Sequence, residues 1–283
     1  MKKEKIAIMT DSTCDIPDEI IAEYNIKVVP LRILFKGGEY RDKVEISAEE
    51  VYRRLQEEVP STSLPIPADI LEMFERLKEE GFTHVVAIHI SSGLSGTSQL
   101  METLANQIQG LVVKVIDSKN ISMGLGYTVI EAARKLRENA GFEAICRHVQ
   151  QSVKKMKIYF VLETLEYLKK GGRIGKVAGT VGQILNLKPI ITVNEDGVYT
   201  THAKVRGRKQ SIDKLFEVVK EQAAETVHNL ALCHGSAKEE AQELLERVKK
   251  LGNIAELIVG HVSPVIGVHT GPGTLGLVMY PVD

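Results

Sequence analysis

The sequence predicts an α/β protein of two domains, an N-terminal three-layer α/β/α domain with a parallel sheet and a C-terminal α/β domain with a mixed sheet. In the first half of the chain, apolar strand-like runs alternate with amphipathic helical segments over short connections, which is typical of parallel sheets. Near residue 157 a hairpin pattern interrupts this alternation. The length of 283 residues suits two domains, and we predict residues 1–156 for the first and 157–283 for the second.

Strand and helix signals follow one another through the first domain. The predicted strands are the apolar runs at 5–13, 27–35, 84–90 and 112–118. The predicted helices lie at 17–25, 46–58, 68–81, 98–109, 124–139 and 142–156. Pro17 suits the start of a helix, and Ser47 with Glu50 has capping-box spacing. KGGEY (36–40) is predicted as a turn, and PSTSLPIP (60–67), with three prolines, as a connector without regular structure.

Three polar loops are predicted to meet at one edge of the parallel sheet. They are DSTCD (11–15), SSGLSGT (91–97) and DSKN (117–120), and each follows a predicted strand. Right-handed crossovers bring the carboxyl ends of parallel strands to the same edge, and ligands of such sheets bind there. This edge is therefore the first place to expect a binding site.

The second domain begins with a strand at 158–163 and a basic glycine turn at 168–175. A helix of small residues is predicted at 177–186, followed by a hairpin at 188–205 that turns at Glu195–Gly197. The remaining elements alternate between helix and strand. They are predicted at 211–222, 229–236, 239–252, 254–262 and 275–280.

Composition excludes several classes of function. A formal net charge of −1 and the lack of tryptophan argue against a nucleic-acid partner. The three cysteines are widely spaced without a C-x-x-C pair, which indicates no disulfide framework or metal site and fits a reducing cytoplasm. No apolar run approaches the ~20 residues of a membrane-spanning helix. The N-terminus becomes polar too early for a signal peptide, so we expect a cytoplasmic protein without an integral membrane segment.

Nucleotide-binding motifs are matched only in part. GPGTLG (271–276) has the letters of G-x-G-x-x-G, but only seven residues follow it, so no helix can receive a pyrophosphate. GGRIGKV (171–177) lacks the first glycine of a phosphate-binding loop and has Val177 where a magnesium-binding hydroxyl is needed. We therefore expect no cofactor.

Ser95 allows three interpretations. GLSGT resembles the nucleophile elbow G-x-S-x-G, with Thr97 in place of the last glycine, and His202, His234, His261 and His269 follow as candidate bases. Alternatively, Ser95 precedes a helix whose free N–H groups favour an anion. The simplest interpretation makes Ser91, Ser92 and Ser95 ordinary helix caps. The local pattern leaves all three open.

Taken together, seven segments resemble the DegV family of bacterial fatty-acid-binding proteins, and the resemblance covers the whole chain. They are DSTCDIP (11–17), STSLP (61–65), SSGLSGT (91–97), LEYLKKGGRI (165–174), LNLKPII (185–191), VRGRK (205–209) and VIGVHTGPGTLG (265–276). Cys14 and Leu64 depart from residues that are frequent in the family.

The resemblance implies a two-domain protein that holds one long-chain fatty acid, such as palmitate, between its domains and catalyses no reaction itself. It implies that Thr62 and Ser95 hold the carboxylate, with His269, Arg173 and Arg206 around the same end. Several members of the family present the bound fatty acid to a separate fatty acid kinase, which makes the acyl phosphate. We expect apolar residues of the second domain to line the tunnel, with 177–191 as the candidate segment. The alternative function is a serine esterase that uses Ser95.

Overall fold

The computed structural model describes residues 4–180 and 187–282. The strands are β1 (Ile6–Asp11), β2 (Lys27–Val29), β3 (Arg32–Phe35), β4 (Gly38–Arg41), β5 (Ser61–Ser63), β6 (His84–His89), β7 (Val112–Asp117), β8 (Lys157–Val161), β9 (Leu187–Val193), β10 (Tyr199–Arg206), β11 (His228–Gly235), β12 (Ile254–His261) and β13 (Thr274–Pro281). The α-helices are α1 (Asp18–Tyr24), α2 (Ala48–Arg54), α3 (Pro67–Glu79), α4 (Thr97–Ala105), α5 (Met123–Arg137), α6 (Phe142–Lys155), α7 (Glu166–Lys170), α8 (Arg208–Glu225), α9 (Lys238–Val248) and α10 (Pro264–Thr270). Short 3-10 helices lie at Ser12–Cys14 and Gly175–Thr180.

A parallel sheet and a separate mixed sheet confirm the predicted fold class. The parallel sheet has the strand order β2-β1-β6-β7. The mixed sheet has the order β10-β9-β8-β13-β11-β12, in which only β11 and β12 are paired in parallel within the described residues. The predicted hairpin is confirmed as β9 and β10, and their turn contains Gly197 with a φ of 79°.

A third sheet, with the order β4-β3-β5, corrects the sequence prediction at three places. The predicted strand 27–35 divides at Pro30, so that β2 joins the parallel sheet and β3 joins this small sheet. The predicted turn 36–40 contains the start of β4. The proline-rich connector contains β5, because the three residues Ser61–Ser63 pair with β3 while the prolines flank the paired residues.

Helices α5 and α6 lie between the two larger sheets. Their apolar side chains share one core with Ile8 and Ile88 of the parallel sheet and with Ile158 and Val278 of the mixed sheet. Helices α3 and α4 cover the other face of the parallel sheet, and α8 and α9 cover the other face of the mixed sheet. Because α5 and α6 pack against both sheets, the domain boundary at 156 stays a prediction. None of the helices in the described parts of the chain is long and apolar enough to cross a membrane.

The tip of the β9–β10 hairpin closes on the SSGLSGT turn of the first sheet. The Ser91 hydroxyl donates a hydrogen bond to the Gly197 carbonyl oxygen at 2.8 Å. Gly93 faces the same carbonyl so closely that an added Cβ would lie 2.7 Å from its oxygen and 2.9 Å from Val198 Cγ2. A glycine is therefore required where the two sheets meet.

The substitution Gly93→Ala tests this contact. We expect it to destabilise the protein by about 1–3 kcal/mol, because backbone has to move to admit the methyl group. Urea unfolding followed by circular dichroism measures the change. Gly37→Ala is the matched control, since nothing lies within 4 Å of a Cβ at that glycine. Equal losses in the two variants would contradict the prediction.

Candidate functional site

A cavity of about 200 Å³ lies at the carboxyl edge of the parallel sheet. The three polar loops predicted at this edge lie at the cavity. Thr13 of DSTCD and Ser95 of SSGLSGT line its wall, and so does Ile121, which directly follows DSKN. The polar side chains that line it are Thr13, Thr62, Ser63, Ser95, Arg173 and His269. The larger apolar ones include Leu31, Leu64, Ile90, Leu94, Ile121 and Ile266. The structure thus brings together four of the five predicted site residues.

The buried carboxylate of Asp11 shapes this edge. Its Oδ1 accepts a hydrogen bond from the Thr13 backbone N–H at 3.1 Å and another from the Thr13 hydroxyl. Its Oδ2 accepts from the Ile90 N–H at 2.9 Å and lies 3.0 Å from His89 Nδ1. One side chain therefore ties the loop after β1 to the end of β6, and thereby places Thr13 and Ile90 in the cavity wall.

Thr62 enters the cavity from the middle of β5. It pairs with Ile33 of β3, and alternation along the strand leaves its neighbours Ser61 and Ser63 more exposed. Its Oγ1 lies 2.8 Å from Nε2 of His269. This hydrogen bond joins residues that are 207 positions apart, so it links the small sheet to α10.

His269 is a neutral imidazole in this site. Burial, and then the positive charge of Arg173, lower the pKa of His269 from 6.5 to about 4. Its Nδ1 is buried and has no hydrogen-bond partner among the described residues. A buried N–H without a partner is rarer than a buried acceptor without one, so we assign the proton to Nε2. His269 then donates to Thr62, and the Thr62 hydroxyl proton is free to point at a ligand.

His269 lies in the last turn of α10. Gly171 packs directly against its ring, and an added Cβ there would overlap Nδ1. Gly171 of the GGRI segment therefore allows the backbone to approach the histidine. This is a role in packing rather than in phosphate binding.

Ser95 lines the cavity and also adjoins the start of α4. Its Oγ lies 2.8 Å from Thr97 Oγ1 and accepts a longer hydrogen bond of 3.3 Å from the Thr97 N–H. No histidine of the described residues forms a hydrogen bond with it, so the general base of a serine hydrolase is missing at this hydroxyl. The neighbouring serines have other partners. Ser91 donates a hydrogen bond to the Gly197 carbonyl oxygen, and Ser92 accepts one from the Lys119 side chain.

The two predicted arginines lie in different places. Arg173 is half-buried in the cavity wall, where Nη1 donates to the Gly171 carbonyl oxygen at 2.7 Å and Nε donates to the Leu94 carbonyl oxygen at 3.4 Å. It thereby holds the GGRI turn against the LSGT turn. Arg206 is exposed at the end of β10 and is not among the described residues that line the cavity.

Two buried carboxylates hold the N-terminal end of α10. Asp15 Oδ1 accepts from the Ser263 N–H and Asp42 Oδ1 accepts from the Val265 N–H, each at 2.9 Å. Burial raises the pKa of Asp15 to about 6 and that of Asp42 to about 7. The sequence reasoning missed both roles. Asp15 lies within the DSTCD motif, whereas no local pattern marks Asp42.

A smaller apolar cavity of about 30 Å³ adjoins the first one. The two share Ile121, Tyr199 and Ile266 as a common wall. Behind this wall lie Ile158, Phe160, Cys233 and Gly276, from β8, β11 and β13. Of the predicted tunnel segment 177–191, no described residue lines either cavity, and 181–186 lie outside the described residues.

Comparison with known proteins relates both the sequence and the fold to one family. The family model described as an uncharacterised protein of the DegV family matches residues 5–282. A DegV domain-containing protein of Clostridium acetobutylicum is 45% identical over 277 residues, which are 98% of this chain and 99% of that protein.

Solved structures agree with this relationship. A DegV family protein of Thermus thermophilus, described for its fatty acid binding, superposes with a TM-score of 0.92 at 32% identity, over 98% of this chain and 100% of that one. A stearic acid-binding protein of Eubacterium ventriosum superposes with a TM-score of 0.90 at 28% identity, over 98% of each chain.

The neutral state of His269 predicts a specific dependence of stability on pH. Since the folded pKa is about 4 and the ordinary value is 6.5, the unfolded chain takes up the proton first as the pH falls. The contribution of neutral His269 to the stability of the fold is therefore complete above about pH 6.5 and is lost as the pH falls toward about 4. Between pH 7 and pH 5, we expect protonation of His269 in the unfolded chain to lower the free energy of unfolding by about 2 kcal/mol. The substitution His269→Gln should abolish this loss. Urea unfolding of both proteins at both pH values measures it, and parallel pH profiles would contradict it.

Proposed function

The chain belongs to the DegV family, and from this premise we propose that it binds one long-chain fatty acid non-covalently and catalyses no reaction itself. The observation that carries the proposal is the cavity in which hydroxyls of Thr62 and Ser95 face the same space as Arg173 and a neutral His269, next to a second cavity with apolar walls. This arrangement offers polar groups for a carboxylate head and apolar walls for the start of an acyl tail.

The head of the cavity suits a carboxylate. Removing a carboxylate from water costs several kcal/mol unless hydrogen bonds replace its hydration, and each hydrogen bond to a charged group contributes about 1.5–3 kcal/mol. The Thr62 and Ser95 hydroxyls donate such bonds in the proposed complex, and the half-buried guanidinium of Arg173 adds a favourable charge. Because none of these groups binds covalently, the ligand can leave unchanged.

The acyl chain supplies most of the affinity. At about 0.8 kcal/mol per buried methylene, a chain of ~16 carbons contributes on the order of 11 kcal/mol before the costs of ordering and association. We propose that the chain passes the wall of Ile121, Tyr199 and Ile266 and enters the smaller cavity between β8, β11 and β13. Side-chain movement in this wall has to widen the passage when the ligand enters.

We further propose that the protein presents its fatty acid to a separate fatty acid kinase. Arg206 supports this role, since it is exposed outside the cavity lining and is thus accessible to a partner rather than to the buried ligand. Mixing the loaded protein with such a kinase and ATP tests this step, because acyl phosphate forms only if the ligand is presented.

The proposed binding is tested by extracting purified protein, expressed without added lipid, into organic solvent. We expect mass spectrometry of the extract to show one fatty acid per protein chain. An extract without fatty acid, together with no binding of added palmitate, would refute the proposal.

The esterase alternative has no support from the hydrogen bonds of Ser95, and a serine-reactive phosphonate should leave Ser95 unlabelled.

The head-group assignment predicts the effect of removing either hydroxyl. We expect Thr62→Val and Ser95→Ala each to weaken palmitate binding by about tenfold or more, because each removes one hydrogen bond to a charged group. Titration with a fluorescent fatty acid, displaced by palmitate, measures the affinity. Ser61→Ala is the matched control, since Ser61 lies on the same strand and outside the cavity lining. Unchanged affinity in both cavity variants would contradict their role.

The proposed path of the acyl chain predicts a change in length preference. Cys233→Leu enlarges a side chain that lines the smaller cavity, so we expect stearate affinity to fall more than myristate affinity. The same titration measures both ligands. Cys146→Leu controls for overpacking, since Cys146 is also buried but lies in α6, outside both cavity linings. Equal losses for the two fatty acids would contradict the path.

A further inference from the structure

Tyr199 lies where the larger cavity adjoins the smaller one. It is the first residue of β10, lines both cavities, and is only 3% exposed. Its ring packs edge-on against Phe160, with 5.2 Å between ring centroids. Gly175 packs against its backbone, since an added Cβ there would lie 2.8 Å from the Tyr199 carbonyl oxygen. Both the backbone and the ring of Tyr199 are therefore held in place beside the passage.

The hydroxyl of Tyr199 forms no hydrogen bond with any described residue. Among the described residues, the polar atoms that lack a partner and are also sealed from solvent include Tyr52 Oη and His269 Nδ1, but not Tyr199 Oη. The small surface that Tyr199 exposes thus includes its hydroxyl. Because the residue lines both cavities, this surface faces the space in which the acyl chain is proposed to lie.

The other buried hydroxyls of the two cavity linings already have partners in the protein. Each donates a hydrogen bond to a carboxylate or to a backbone carbonyl oxygen, and they belong to Thr13, Ser122, Thr270 and Thr274. The residues that line both cavities together with Tyr199 are Ile121 and Ile266, whose side chains offer no hydrogen bond. Tyr199 thus supplies the polar group of an otherwise apolar passage.

The phenol of Tyr199 is a neutral donor. Burial, and then the charge of Asp15, raise the pKa of Tyr199, while the charge of Arg173 opposes this rise. The hydroxyl therefore keeps its proton at neutral pH, and it can both donate and accept a hydrogen bond. A neutral partner such as an alcohol satisfies both of these capacities.

An unsubstituted acyl chain leaves this hydroxyl without a partner. Before a ligand enters, water in the cavity can form the missing hydrogen bond. A hydrocarbon chain that fills the passage displaces the water and offers nothing in return, which weakens binding by about tenfold. A chain with an oxygen at this point retains the hydrogen bond, so the passage discriminates between the two ligands.

We propose that Tyr199 makes the site selective for long-chain fatty acids that carry a hydroxyl group close to the carboxyl end. The inference rests on the proposed fatty acid binding and names a class of ligand within it. Thr62, Ser95 and Arg173 serve the carboxylate in the proposed complex, so the Tyr199 hydroxyl is left for a second oxygen. That oxygen lies near the carboxyl end, because Tyr199 lines the same cavity as Thr62 and Ser95.

Competition binding with three ligands tests the selectivity. They are palmitate, β-hydroxypalmitate and ω-hydroxypalmitate, each displacing a fluorescent fatty acid from the full-length protein. The two hydroxy acids have the same composition and differ only in the position of the hydroxyl group. We expect the wild type to bind β-hydroxypalmitate more tightly than ω-hydroxypalmitate by about tenfold or more. Equal affinities for these two ligands would overturn the proposal.

The substitution Tyr199→Phe removes the oxygen and keeps the ring that packs against Phe160. We expect the preference for β-hydroxypalmitate over palmitate to fall by about tenfold, and palmitate itself to bind about threefold more tightly, because no hydroxyl is left unpaired. Tyr159→Phe is the matched control and should retain the wild-type preference. The Tyr159 hydroxyl accepts a hydrogen bond from Gln222 Nε2 at 3.0 Å and lies outside both cavity linings.

The outcomes separate this inference from the proposed function. If Tyr199→Phe weakened both ligands equally, its hydroxyl would serve the carboxylate or the packing, and the proposed selectivity would be wrong although fatty acid binding stood. A wild-type protein that bound none of the three ligands would refute fatty acid binding itself.

Discussion

The hydrogen bond between Thr62 Oγ1 and His269 Nε2 is the contact on which the head of the cavity depends. It joins the edge strand of the small sheet to the last turn of α10 and, with the proton assigned to Nε2, leaves the Thr62 hydroxyl proton free to point into the cavity. The bond has this direction only while the imidazole is neutral with its proton on Nε2. Burial and the nearby Arg173 guanidinium keep it neutral by lowering its pKa. In the proposed complex, the groups that line the cavity would thus also determine which atom donates to the carboxylate.

Helix α10 is held at both ends by buried polar groups. Asp15 and Asp42 accept backbone hydrogen bonds at its start, and His269 contacts Thr62 at its end. The pH dependences of these groups have opposite signs. The folded pKa values of both carboxyls are raised, so their contribution is present at low pH and is lost as the pH rises through about 6 to 7. That of His269 is present at high pH and is lost toward about pH 4. Acid therefore weakens one end of the helix while it stabilises the other.

Buried polar atoms without a hydrogen-bond partner occur both at the cavity and in the packed interior. His269 belongs to the cavity lining, and its Nδ1 has no partner among the described residues. Outside the lining, the same is true of His89 Nε2 and Asp42 Oδ2. Leaving such a group unpaired costs about 1–3 kcal/mol. By contrast, both carboxylate oxygens of Asp11 accept backbone hydrogen bonds, one from Thr13 and one from Ile90, and these bonds position the cavity wall. A position in the cavity lining, rather than the lack of a partner, therefore marks the polar groups that can face a ligand.

The sequence by itself determined the fold class, the strand–helix alternation, the hairpin at Glu195–Gly197 and the sheet edge at which the loop containing Ser95 lies. These depend on periodicity, on turn residues and on the handedness of crossovers, which act over short distances or follow general rules. Only the tertiary structure decided that 61–63 is a strand, that Arg206 lies outside the cavity lining, and that Asp42 holds α10. A three-residue strand between prolines has no periodicity of its own and forms because β3 offers a partner. A contact such as that of Asp42 with Val265, 223 positions away, depends on how distant segments pack, and no local pattern encodes that packing.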